Sequence, residues 1–130
     1  MLVYLVRHAQ AAPGQPDELR PLTPDGRAAA RDLGSRLAAD GLRPDAVLSS
    51  PLLRARETAL ELARALGAEP ETDERLAPGT DAAALRAVVA GRGDAVVIVG
   101  HQPDCSRISA EISGGPEPAF PPAGLAVLEL

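Results

Sequence analysis

A chain of 130 residues with 45 % hydrophobic content is long enough to bury one core, which argues against a disordered segment. A formal net charge of −5 sets it against nucleic acid and anionic membranes, and Tyr4 and Phe120 are too few aromatics for a single-strand stacking platform. All thirteen basic residues are arginine, which excludes a Schiff-base lysine and a phosphate-cradling P-loop lysine.

A strand is expected at residues 2–6 (LVYLV), continuous in apolar character as in a sheet covered on both faces. The Pro/Gly-rich stretch 12–21 (APGQPDELRP) reads as a loop without regular structure. A helix follows within 22–41, with Thr23 as N-cap, Pro24 at the first position and Gly41 just past the end. Residues 45–50 (DAVLSS) form the second strand and run directly into a helix, with Ser50 as N-cap, Pro51 at its first position and Gly67 closing it. Leu53, Leu60 and Ala63 mark the expected inner face of that helix, widened by Leu52, Ala59, Leu62 and Leu66.

A weak strand falls within 68–73, and Thr80 is expected to cap a helix at 81–91. DAVVIVG (94–100) is the clearest strand, 103–113 a further helix, and GLAVLEL (124–130) a last strand reached through the Pro-rich surface connection PEPAFPP. Alternating strands and helices predict an α/β sandwich on a mostly parallel sheet, one domain over 1–130. The chain stops inside its last strand, so a further C-terminal segment is expected. No segment reads as a leader or is long enough to span a bilayer, and a lone cysteine suits a reducing, cytoplasmic setting. Cys105 reads as a small buried helix residue.

Open parallel sheets bind ligands beyond the carboxyl ends of their strands, at a switch in strand order. Three strands here end in polar residues of one kind of use. The first ends in Arg7-His8, the second in Ser49-Ser50-Pro51 with Arg54 one turn on, and the strand at 95–99 in Gly100-His101. As parallel neighbours they would bring two arginines and both histidines of the chain together. Guanidinium forks suit the oxygens of a tetrahedral oxyanion. Two imidazoles permit a division of labour, one as nucleophile and the other as donor to the transferring oxygens. Gly100 is expected to allow close backbone approach before His101. Zinc is the poorer reading, because the two histidines and Cys105 lack ligand spacing and Arg7 would repel the ion. A lone histidine after a strand is usually structural, but two at corresponding strand ends are a constellation.

RHAQ at 7–10, SSPLLRARETA at 49–59 and VGHQP at 99–103 resemble the three signature segments of the histidine phosphatase (phosphoglycerate mutase-like) superfamily. RPLTPDG at 20–26 and FPPAGLAVLEL at 120–130 are similar to segments of its short branch, the SixA-type phosphohistidine phosphatases. The resemblance implies a three-layer α/β/α sandwich, no cofactor and no metal requirement. By position, it implies that His8 is the phosphorylated nucleophile and that Arg7, Arg54 and His101 complete the phosphate pocket. Arg20 and loop 12–18 are expected at the rim, with a plain surface loop the simpler reading of 12–18.

One departure bears on substrate. Larger members carry a general-acid glutamate two residues past a leucine, where this chain reads Leu76-Ala77-Pro78-Gly79. Glu74 and Asp81 are the nearest carboxylates by sequence and read as solvated loop charges. An alkyl phosphate needs its alkoxide protonated, a service worth about 10²–10⁴-fold, whereas the P–N bond of phosphohistidine is already labile. The 73–92 segment has room for one helix and no cap over the pocket. Phosphohistidine in a protein is therefore the expected substrate, on a histidine phosphocarrier or phosphotransfer domain. A general small-molecule phosphomonoesterase and a non-catalytic phosphoprotein-binding module are the alternatives.

Overall fold

The inner strands each serve two cores at once, which is why residues 2–6 show no polar alternation. The computed structural model describes residues 1–130 as β1 (Leu2–Arg7), α1 (Pro24–Ala39), β2 (Ala46–Ser49), α2 (Leu53–Leu66), β3 (Pro70–Thr72), α3 (Ala82–Val89), β4 (Ala95–Gly100), α4 (Asp104–Ser113) and β5 (Leu125–Glu129). The five strands form one sheet in the order β3-β2-β4-β1-β5, parallel except for β5, which pairs antiparallel with β1.

Val3 and Leu5 of β1 and Val96 and Ile98 of β4 enter one core, with Leu85, Val88 and Val89 of α3 and Ile108 of α4. Val6, Val97 and Val99 point the other way, into a core with Leu33 and Leu37 of α1 and Leu62 and Leu66 of α2. The result is helix, sheet, helix, as three layers. Each large side chain so buried contributes roughly 1.5–3 kcal/mol, so the two-sided strands carry much of the stability.

The Thr23 cap forms as the sequence predicts, its hydroxyl accepting from the Gly26 N–H at 2.9 Å, with Pro24 opening α1. Gly26 itself is needed: a Cβ there would sit 2.1 Å from the Gln10 carbonyl oxygen. Two other caps differ from expectation. α2 starts at Leu53 with Leu52 in the cap position, not with Ser50 as cap and Pro51 first. The Ser50 hydroxyl is occupied elsewhere, by His101 and by the Leu52 N–H. α3 is capped by Asp81, whose carboxylate accepts from the Ala84 N–H at 2.8 Å, while Thr80 donates to the Arg75 carbonyl.

The inner face of α2 also differs. Arg54, Ala55, Thr58, Ala59, Leu62 and Leu66 are buried, whereas Leu53 and Leu60 are half-buried. The loop at 12–21 contains a 3₁₀ turn at Asp17–Leu19. The Pro-rich connection before β5 is more than surface, since Phe120 is buried in the core of α3 and α4. A Cβ at Gly100 would meet only the Cys105 Sγ, at an ordinary 3.8 Å, so close approach is not the reason for that glycine.

Candidate active site

β1 and β4 are adjacent and parallel, and the helices that follow them lie on opposite faces of the sheet, α1 on one and α4 on the other. That divergence opens a crevice beyond their carboxyl ends. Arg7 pairs in register with Gly100, and the His8 N–H donates to the Gly100 carbonyl at 2.9 Å. The histidines one residue further on therefore face each other, with ring centroids 5.2 Å apart and planes at 58°. β2 flanks β4 on the other side and brings Ser50 into the same crevice.

The His8 Nδ1 lies 2.7 Å from the Ala9 carbonyl, which can only accept, so Nδ1 carries the proton and Nε2 keeps its lone pair. Burial lowers the His8 pKa below 6.5, and the charges of Arg54, Arg7 and Arg20 lower it further against the opposing Ala9 bond. His101 is 4 % exposed, with Nε2 2.7 Å from the Ser50 Oγ. Burial, then the His8 and Arg54 charges, push its pKa down to about 4. Both rings are neutral at pH 7.

Three arginines surround the pair. Arg54 is 7 % exposed on the first turn of α2 and donates through Nη1 to the Asp17 carbonyl at 2.9 Å and through Nη2 to its carboxylate at 3.2 Å. Arg7 donates through Nη1 to the Phe120 carbonyl at 2.9 Å, while its buried Nε has no partner in the protein. Arg20 reaches back to the Ala12 carbonyl at 2.8 Å and to the Asp17 carboxylate at 3.1 Å. Thr58 ties the layers together, accepting from the Ala9 N–H and donating to the Arg54 carbonyl. Glu57 holds the Arg20 segment through the Leu22 N–H at 2.8 Å.

The structure thus brings Arg7, His8, Arg20, Arg54 and His101 together. It does not bring in Glu74 or Asp81: both are exposed, and Asp81 serves α3 as its cap. Three residues join the crevice that the sequence reading passed over or used differently. Ser50 is the His101 partner rather than a cap. Asp104 is a buried carboxylate on the helix after His101, bonded to the Gly79 N–H and to Arg107. Asp17 bridges Arg20 and Arg54. The spacing Asp17–Arg20 is the one legible hint, as an i,i+3 acid–base pair.

No enclosed cavity surrounds the histidines. A concavity of about 400 Å³ lies instead between α2 and β3, lined by Leu53, Arg56, Glu57 and Glu71 among others, and none of the five predicted residues reaches it. Nowhere do three or more His, Cys, Asp or Glu converge as a metal site, and no helix is long and apolar enough to cross a membrane. Cys105 is buried, and burial pushes its thiol up to about 12, so it is inert.

The lowered histidine pKa values make the fold less stable as pH falls. As pH falls below 6.5 the unfolded chain takes up protons before the folded one, so this stability is complete above pH 6.5 and lost towards pH 4. For His101 the loss is on the order of 3 kcal/mol at ~1.4 kcal/mol per pKa unit. Urea unfolding at pH 7 and pH 4 should show His101→Gln losing about that much less stability than wild type over the interval. Equal losses in the two proteins would contradict a buried neutral His101.

A model of the histidine phosphatase superfamily (branch 1) matches residues 3–77. The phosphohistidine phosphatase SixA of Escherichia coli (strain K12) is 30 % identical over 125 residues, covering 91 % of this chain and 78 % of that protein. An uncharacterized protein of a Picosynechococcus species is 39 % identical over 123 residues, 88 % of this chain and 74 % of its own. A solved structure of the protein histidine phosphatase SixA complexed with tungstate superposes with a TM-score of 0.90 at 30 % identity, over all of this chain and 88 % of the other.

Proposed function

This chain belongs to the histidine phosphatase superfamily, in its SixA-type branch, and on that premise we propose that it hydrolyses phosphohistidine on a protein through a phosphorylated His8. One observation supports the reading above the others: a neutral imidazole with Nε2 free stands among three guanidiniums and 5.2 Å from a second neutral ring.

Two steps follow. The His8 Nε2 attacks phosphorus in line while Arg7, Arg54 and His101 hold the equatorial oxygens, and the substrate imidazole departs. Water then attacks phospho-His8 and releases inorganic phosphate. Ser50 orients His101. Its hydroxyl already accepts from the Leu52 N–H, and donating its own hydrogen to Nε2 leaves the His101 proton on Nδ1 as a donor. The unpartnered Arg7 Nε is a buried donor that a phosphate oxygen would satisfy.

The positive charge of the pocket comes from guanidiniums fixed by the fold, so the reading requires no metal ion and no cofactor. α3 packs into the core through Leu85, Val88 and Val89 instead of covering the crevice, which suits a protein substrate such as a histidine phosphocarrier or phosphotransfer domain. We read residues 1–130 as one catalytic domain working in a reducing cytoplasm, where Cys105 stays a thiol.

A substrate panel tests this. A phosphorylated histidine carrier domain should be hydrolysed with a kcat/KM at least tenfold above that for sugar phosphates, unchanged by a chelator. Faster turnover of sugar phosphates would make the protein a general phosphomonoesterase.

A further inference from the structure

We propose that Asp17 determines specificity for nitrogen leaving groups, its carboxylate accepting a hydrogen bond from the distal N–H of a protonated phosphoimidazole; this rests on the phosphohistidine reading above. Asp17 sits on the 3₁₀ turn 17–19 at the mouth of the crevice, 59 % exposed at its side chain, above the buried Arg54. One carboxylate oxygen receives Arg20 at 3.1 Å and the other Arg54 at 3.2 Å. A carboxylate has about four lone-pair positions, so roughly two remain for a group arriving from solvent. In-line attack by His8 places the leaving group on the far side of phosphorus, and a carboxylate bonded to Arg54 yet exposed is within reach of a ring that departs towards solvent.

The same two arginines decide what Asp17 cannot be. Hydrogen bonds from Arg20, then Arg54, hold its carboxyl below the usual carboxylate range. It is ionised at neutral pH and has no proton to give an alkoxide, so it is not the general acid that an alkyl ester requires.

Phosphohistidine asks for the opposite service. Its imidazole can take a solvent proton on the nitrogen distal to phosphorus, giving a cationic ring. The His8 Nε2–P bond forms, the P–N bond of the substrate breaks, and its electron pair returns to that nitrogen. The leaving group departs as neutral imidazole, still carrying the distal proton. A fixed anion beside that N–H favours the cationic, reactive form.

The test compares wild type with Asp17→Asn on a phosphorylated histidine carrier domain and on p-nitrophenyl phosphate, whose leaving group needs no proton. The variant should lose roughly 10- to 100-fold in kcat/KM on phosphohistidine, the scale of a charge-assisted hydrogen bond. Its turnover of p-nitrophenyl phosphate, which needs Asp17 only as a holder of Arg20 and Arg54, should fall at least tenfold less than its turnover of phosphohistidine. Inorganic phosphate should inhibit the variant at least as well as wild type, because Arg20 and Arg54 are then unopposed. Equal losses on both substrates, or weaker phosphate inhibition, would make Asp17 a holder of arginines and overturn the proposal, as would unchanged phosphohistidine turnover. Wild type inactive on phosphohistidine yet active on p-nitrophenyl phosphate would instead overturn the functional reading on which it rests.

Discussion

Replacing His8 with alanine should reduce turnover by on the order of 10⁴-fold or more, because the step it removes has no substitute in the pocket. Water could attack the bound phosphate in place of imidazole, but the carboxylate nearest the arginines, Asp17, is engaged by Arg20 and Arg54. His101 is held on Ser50 at 2.7 Å, and its pKa of about 4 makes it a weak base. The fold should survive the change. The His8 ring makes one hydrogen bond, to the carbonyl of the next residue, and the strand is anchored by backbone bonds to β4 and by Val3, Leu5 and Val6. Melting temperature and circular dichroism should therefore match wild type while hydrolysis falls to background. A variant that keeps a tenth of wild-type activity would reject covalent catalysis through His8.

Arg54→Ala should cost about 10²–10³-fold in kcat/KM, comparable to the loss of an oxyanion-hole donor. The size follows from position. Arg54 is the most buried of the pocket arginines, its fork is fixed by two hydrogen bonds to Asp17, and its charge acts on both histidines. Removing it leaves the phosphate charge facing a low-dielectric wall. Arg54→Lys should recover only part of the activity, since an ammonium restores charge but not the two-pronged geometry. Arg56→Ala, exposed on the same helix, is the control and should stay within about twofold, as surface changes usually do. An Arg54→Ala enzyme within tenfold of wild type would remove this residue from the phosphate pocket.

How much of this was legible in the sequence depends on whether the cause was local. The strands at 2–7 and 95–100 announce themselves because two-sided burial demands uninterrupted apolar residues. The Thr23-Pro24 start and the Gly67 stop announce themselves because capping is decided within a few residues. The two histidines were legible because strand ends in parallel sheets have a known use.

Most of the errors share a different cause. Ser50-Pro51 carries a helix-start signal, but the partner that claims the hydroxyl, His101, lies 51 residues away. The Leu53 and Leu60 stripe was misplaced because the helix turns Arg54 and Thr58 inward, an arrangement that burial statistics disfavour and the site requires. Phe120 belongs by local sequence to a surface connection, but its ring is buried in the core shared with α3 and α4. Asp17 sits in a stretch without periodicity, and only the folded loop reveals which arginines it joins. These four are contacts across the chain that override a correct local rule, whereas the cap of α3, taken by Asp81 and not Thr80, is decided locally.

The catalytic cycle turns on a covalent intermediate at one nitrogen. Rapid quenching of the reaction into alkali, which preserves phosphohistidine, followed by mass spectrometric mapping of the chain measures it directly. The predicted result is a phosphoryl group on His8 during turnover and none in His8→Ala. A phosphoryl group found on His101, or steady turnover with no phosphorylated His8 at any time, would contradict it.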